Sequence, residues 1–278
     1  MSYTEGRNEK DMSFWDHLEE LRWVLMRVGI AILVFTIIGF ILTPMFFESV
    51  ILAPRNADFI TYRVFAWIAE SVHFFPNFEA NEFYVQLINL GLVTQFMTLI
   101  RVSLMFGFLC TIPYLLYELW RFISPALYAN EAKGVKTAFG FGGVMFVVGC
   151  LVGYFLVFPL IFRFLTTFSL SDMIENTISL EDYMSKFFTL IFIMGIVFEM
   201  PLVFWLLSKL GLVHRSLFSK YRRHAIVGCA VLAAFIAPGG DPFSMFIVWM
   251  PLYTLWELSA FVVKKDEVDE DEHLPAVI

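Results

Sequence analysis

The chain has 278 residues, of which 59% are apolar, 16% charged and 18% aromatic, and its mean hydropathy is +0.74. A typical soluble domain is about 45–50% apolar and about 25% charged, and one of this length has too little interior to hide the surplus; lipid must be the solvent. The net charge of −7 says little about partners, because six of the acids (Asp266, Glu267, Asp269, Glu270, Asp271 and Glu272) crowd a C-terminal tail, 265–278, that reads as acidic and disordered.

Taken in chain order, Ser13 with Asp16 three positions on has the pattern of a capping box. An amphipathic entry helix follows over 13–22, with Phe14, Leu18, Leu21 and Leu25 on one stripe. It leads into an uncharged run, 28–47, long enough to span a bilayer. The longest loop runs from Thr43 to Glu82, passing Pro54, and has Phe59, Tyr62, Phe65, Trp67 and Ile68 at roughly helical spacing. Two readings stand there: an amphipathic helix on the outer membrane surface, or a cap packed over the outer helix ends.

Residues 83–117 carry no charge except Arg101, which suits an interfacial segment entering a second span from about 102 to 120. The segment Leu119–Glu131 is rich in aromatics and contains Pro125; it reads as a rigid platform between spans. A third uncharged run covers 137–162, and Ser179 with Asp182 resembles a capping box ahead of a fourth span, 187–208, broken only by Glu199. The fifth run, 224–240, is cut short by Pro238-Gly239-Gly240, leaving about 14 apolar residues or roughly 21 Å of helix against a hydrocarbon core of about 30 Å. Asp241 stands where it would cap a sixth span, 242–263, interrupted only by Glu257.

Six spans put both termini on one side. Arg7, Lys10, Arg22, Arg27, Arg121, Lys133, Lys136, Lys209, Arg215, Lys220, Arg222, Arg223, Lys264 and Lys265 fall on that side, against Arg55, Arg63, Arg101, Arg163 and Lys186 on the other. The positive-inside rule makes both termini cytoplasmic. Pro113, Pro159, Pro201 and Pro251 lie in or at the ends of spans, where they bend helices. The expected fold is therefore an all-α integral membrane protein, a curved bundle forming one membrane domain over 1–264.

No nucleotide, metal or nucleophile motif is present, and the five histidines are scattered. Cys110, Cys150 and Cys229 each lie inside an apolar run, as packing residues do. The N-terminal stretch mixes acids and bases and has no small-residue cleavage site, unlike a cleavable signal peptide. Neither an enzyme nor a cofactor or metal is expected, and nothing points to nucleic acid.

Three acids stand out. Asp16 and Glu20 are like charges one helical turn apart, a repulsion that a cationic visitor would relieve; a solvated face with Glu19–Arg22 and Glu20–Arg27 interactions is the plainer reading. Glu131 closes the aromatic platform and could take a guanidinium in two parallel hydrogen bonds, or pair with Lys133 or Lys136. Glu199 sits mid-span, where a carboxylate must be protonated or face a polar partner or cavity. Glu257 is a shallower case of the same kind.

These segments together resemble the TatC family, the multispanning receptor subunit of the twin-arginine protein translocase. The matching stretches are Phe14–Arg22, Ile112-Pro113 through Tyr128 with Glu131, Tyr154–Leu160, Phe198-Glu199-Met200-Pro201, Ala237-Pro238 with Asp241, and Pro251-Leu252-Tyr253 leading to Glu257. They occur in family order from about 13 to 263.

The resemblance implies a six-helix, glove-shaped bundle in the bacterial plasma membrane that binds twin-arginine signal peptides of folded cargo. It implies export driven by the proton-motive force, with single-span TatA- and TatB-like partners and further copies of the chain in the receptor complex. The family's signal-peptide site maps onto Glu20, Phe122 and Glu131, with Leu18, Leu21, Arg22, Pro125, Leu127 and Tyr128 as its supporting motif. Glu199 maps onto the family's intramembrane acid, which meets partner helices; Glu257 is a second intramembrane polar candidate, and Pro54, Pro238 and Asp241 are expected at the outer turns. The long outer loop after Pro54 and Met245 depart from the family pattern.

The competing class is a proton- or ion-coupled secondary transporter using Glu199. Such a protein should cluster polar residues at the midplane of several helices, and Glu199 is nearly alone.

Overall fold

The computed structural model describes residues 14–72, 84–123, 129–171, 173, 176–209 and 211–263. The chain forms two compact units, Met1–Gly195 and Ile196–Ile278, divided within the apolar span Leu180–Lys209. The acidic tail from 265 lies outside the described residues.

In the first unit, α1 (Phe14–Phe46) is one helix through the entry segment and the first span. A π turn (Phe47–Ile51), a short 3-10 turn (Ala53–Arg55) and α2 (Ile60–Val72) follow. Thr43–Phe46 therefore belongs to the helix and not to the expected loop. The next helix, α3 (Thr94–Ile123), begins about two turns before the expected start near 102. A helix need not stop at the lipid boundary, since its own backbone bonds continue into water, and Arg101 rides on its exposed flank, 3.0 Å from Glu181.

The third span is continuous through α4 (Ala129–Val152), a π turn (Gly153–Val157) and α5 (Phe158–Thr167). The platform expected as a loop over 119–131 is helical at both ends. Arg121 lies on α3, Lys133 and Lys136 lie on α4, and 124–128 fall outside the described residues. A two-residue parallel ladder joins β1 (Leu87–Ile88) to β2 (Ile178–Ser179), just ahead of α6 (Leu180–Val197). Ser179 Oγ accepts the Asp182 amide at 3.1 Å, capping α6.

Between lipid-bathed helices there is little hydrophobic driving force, so small residues and close packing hold them together. The antiparallel α1–α3 pair shows this. A Cβ on Gly107 would fall 2.9 Å from the Ile32 carbonyl oxygen and 3.0 Å from the Thr36 nitrogen, so the backbones meet almost directly. Gly153 lies as close to the backbone of α6, where a Cβ would be 2.9 Å from Ile191 Cα.

At the Phe46 end of α1 an aromatic cluster ties four elements together. Pro159 has no N–H to give to the carbonyl of Phe155 four residues back, and the Thr61 hydroxyl at the start of α2 donates to that carbonyl instead. Tyr62, completely buried, donates to Pro54 O at 2.8 Å and Pro159 O at 3.2 Å. Burial raises the pKa of this phenol, so it remains a donor. Tyr154 donates to Val50 O at 2.8 Å and Tyr183 to Ile51 O at 2.6 Å, serving carbonyls of the π turn after α1. Of the two readings of the long loop, the buried Phe59, Thr61 and Tyr62 side chains make this part of it a packed cap.

In the second unit, α7 (Met200–Lys209), α8 (Arg215–Lys220) and α10 (Pro242–Val262) share a small core of Val213, Phe218 and Val263 with Phe204 and Trp256, and α9 (Arg222–Ile236) is joined to α10 by hydrogen bonds. Between α9 and α10, Gly239 and Gly240 take φ of 87° and 66°, values that favour glycine, and Asp241 accepts the Ser244 amide at 2.8 Å.

Among the described residues five helical stretches are long and apolar enough to cross a bilayer: Leu18–Arg55, Thr94–Phe122, Phe139–Thr167, Leu180–Lys209 and Pro242–Val262. At most 39% of any of their apolar windows is buried, as expected where lipid covers the rest. The 15-residue α9 is about 22 Å long, shorter than the bilayer core.

Gly107→Ala is expected to destabilise the protein by about 1–3 kcal/mol through overpacking. Gly140→Ala, where a new Cβ meets nothing within 4 Å, should be neutral or slightly stabilising. Thermal unfolding of the purified variants in detergent compares the two.

Candidate functional site

The antiparallel register of α1 and α3 decides which side chains share an end. Packing runs from Phe46 against Phe106, with ring centroids 5.9 Å apart, down to Arg27 against Glu118. Below that pair, Glu20 lies two turns before Arg27 on the same face of α1, and Phe122 lies one turn after Glu118 on the same face of α3. Both side chains are half-buried. The structure thus brings two of the three expected site residues to one end of one helix pair.

The third, Glu131, falls in the first turn of α4; its side chain lies outside the described residues. Pro125, Leu127 and Tyr128 also lie outside them. Of the supporting positions on α1, Leu18 and Arg22 are exposed and Leu21 is half-buried.

The link beneath this platform was not read from the sequence. Glu118 is 2% exposed, and its Oε2 accepts from Arg27 Nε at 3.1 Å and Nη2 at 2.8 Å. Tyr114 donates to its Oε1 at 2.8 Å. The carboxylate is thereby satisfied on both oxygens by charge-assisted bonds. Arg27 gives its hydrogen bonds to Glu118 on α3, while Glu20, two turns back on α1, still acts on its charge through space, as the sequence led one to expect. The available signal was a lone acid in an apolar run with a tyrosine four positions before it.

Beside the platform runs an apolar groove between α3 and α4. It holds about 570 Å³ and is lined by Pro113, Tyr117, Trp120, Phe139, Gly143 and Val147, among others. A second apolar space, about 750 Å³, shares Pro113 and Val147 with it and reaches Phe46, Val102 and Tyr154. From Trp120 to Val102 the two follow α3 for about 27 Å, close to the thickness of a hydrocarbon core.

The two intramembrane acids of the second unit differ. Glu257 meets Arg222 in a fork, Nε to Oε1 at 2.8 Å and Nη2 to Oε2 at 2.6 Å, and accepts from Tyr253 at 2.6 Å. Both oxygens of Glu199 are buried and have no hydrogen-bond partner among the described residues. At the turns, Asp241 caps α10 and Pro54 is buried with its carbonyl held by Tyr62, while Pro238 opens the 3-10 turn before α10.

Comparison with known proteins decides the family. Residues 16–251 match the model of the Sec-independent protein translocase protein (TatC). The chain belongs to the TatC family. It is 34% identical over 261 residues to the TatC protein of Blattabacterium sp. subsp. Periplaneta americana, covering 92% of this chain and 97% of that one. It is 33% identical over 271 residues to that of Desulforapulum autotrophicum, covering 96% and 91%. A crystal structure described as the twin-arginine translocase receptor TatC superposes with a TM-score of 0.67 at 32% identity, covering 88% of this chain and 97% of that one. The chain is thus a helical, multi-pass protein of the bacterial inner membrane and a component of the Sec-independent protein translocase.

Removing the acid beneath the platform tests its structural weight. Glu118→Ala should lower stability by about 1–3 kcal/mol, because Arg27 and Tyr114 lose their acceptor. The double variant Arg27→Asn with Glu118→Gln, a neutral hydrogen-bonding pair, should recover part of the loss. Thermal unfolding followed by tryptophan fluorescence reads both.

Proposed function

We propose that the chain is the signal-peptide receptor of its translocase, taking the twin arginines of folded cargo at the end formed by Glu20, Phe122 and Glu131. The observation that carries this reading is the α1–α3 register, which sets Glu20 and Phe122 at one end, with α4 opening on Glu131 next to it. Two carboxylates suit two adjacent guanidinium groups, each a planar fork able to bond one carboxylate through two parallel hydrogen bonds. A lysine ammonium is a point charge and loses that geometry, so Arg-Arg is preferred to Lys-Lys by the acceptors alone. The apolar segment that follows the arginines then lies along the α3–α4 groove, which carries no charged lining.

In this reading both termini and the Glu20 end are cytoplasmic, in line with the concentration of basic residues on that side, and α9 counts as a short sixth span. Single-span TatA- and TatB-like proteins and further copies of the chain complete the complex, and the proton-motive force drives export. Glu199 is a contact for a partner helix: two buried oxygens without hydrogen bonds among the described residues call for a donor from elsewhere. Membership of a translocase family favours this reading over a secondary transporter coupled through Glu199.

The test is photocrosslinking from a probe at position 130, beside Glu131 and leaving both carboxylates in place, in membranes to a signal peptide carrying Arg-Arg, beside the same peptide with Lys-Lys. Crosslinks to the first that disappear with the second are expected, and that difference should vanish in Glu20→Gln. Equal crosslinking to both peptides, or none to either, would place recognition elsewhere.

A further inference from the structure

We infer that α2 is a membrane-interface helix: its face of Ile60, Val64, Trp67 and Ile68 lies in the lipid at the boundary between acyl chains and headgroups, on the Phe46 side of the bilayer. Four observations carry this. The four residues are spaced i, i+4, i+7 and i+8, so they form one stripe, and they are 57%, 48%, 69% and 36% exposed. Packing comes from Tyr62 on the opposite side of the helix and from Thr61 on one flank of the stripe, both buried against the third span. Their acceptors are the carbonyls of Phe155 and Pro159, both inside the apolar span Phe139–Thr167, so α2 is fixed at the level of a membrane span and not on a distant loop.

The surface around this anchor is already lipid-facing. Phe59 stacks on Phe155 with centroids 5.8 Å apart, and Phe155 is itself 40% exposed on the span, as are Met45 at 78% and Val50 at 42% at the end of the first span. The stripe continues that surface. Arg63, exposed at the edge of the stripe, has a stem long enough to reach the headgroups from there. An apolar stripe edged by a cation and including a tryptophan is the pattern of a helix seated about 5–10 Å into the interface. Its occupant is lipid; a second copy of the chain or another protein is the competing cover.

Site-directed spin labelling of the full chain in liposomes tests this. Cys110, Cys150 and Cys229 are replaced by serine, and single cysteines carrying a nitroxide are placed at 60, 64 or 68. Ile37→Cys, on the exposed face of the first span, gives the lipid reference, and Asp58→Cys, a position ahead of α2, gives the aqueous one. Labels on the stripe should collide with oxygen almost as often as the label at 37, and with a water-soluble nickel complex several-fold less often than the label at 58. Nickel contact equal to that at 58 would put the stripe in water and overturn the inference. Shielding from both reagents would mean protein covers the stripe, and would overturn it as well.

Discussion

Inside a bilayer no water is available to a backbone carbonyl, so each one that loses its helical donor must find another within the protein. This requirement organises the Phe46 end of the molecule. Pro159 deprives the Phe155 carbonyl of its donor, and Thr61 supplies one. The π turn at Phe47–Ile51 loosens the helical ladder, and Tyr154 and Tyr183 reach its carbonyls. Tyrosine suits this role because its apolar ring packs while the hydroxyl at its tip donates. The aromatic richness of the chain is, at this end, a set of donors delivered through packed rings. The same rule applies along the spans, where Thr43 and Thr111 donate back to the carbonyls of Gly39 and Gly107 at 2.7 Å.

The second constraint follows from the same solvent. Since lipid is as apolar as the helices, association rests on close contact and on a few polar links. Gly107 lets α3 approach the backbone of α1, and Arg27 with Glu118 pins the pair near the end that carries Glu20 and Phe122. The consequence for function is geometric. Once the antiparallel register is fixed, Glu20 and Phe122 must emerge together, and an aromatic ladder of Tyr114, Tyr117 and Trp120 leads from them into the groove. A pair of this kind costs desolvation and is weak evidence of stability by itself; what it secures is the relative placement of two helix ends.

The cap at one end and the platform at the other both belong to the first unit, the cap drawing on Tyr183 of α6 as well as on the first three spans. The second unit is held by different means: the Arg222–Glu257 fork and the Trp249 indole N–H, which donates to the Ile226 carbonyl at 3.2 Å, bind the short α9 to α10. Glu199, unsatisfied among the described residues, contrasts with the satisfied Glu118 and Glu257. That contrast separates carboxylates that build the fold from one left over for something else.

Much was legible in the residues themselves. Composition required a membrane, uncharged runs located the long spans, and Ser179 and Asp241 marked helix starts that the structure places there. The family, too, was readable from short motifs in order. These features are local: bilayer thickness imposes length and apolarity on each span separately, and a cap reaches only three residues along the chain. The sequence could not show where Arg27 would turn, why Tyr62 is buried, or how the long loop divides between a packed end and an exposed stripe. Each of those depends on a partner far away in the chain, 91 positions for Arg27 and Glu118 and 97 for Tyr62 and Pro159. Charge and hydropathy carry no record of such distances; only the packing of whole helices, by fixing register and rotation, selects the carbonyl or carboxylate that each donor meets.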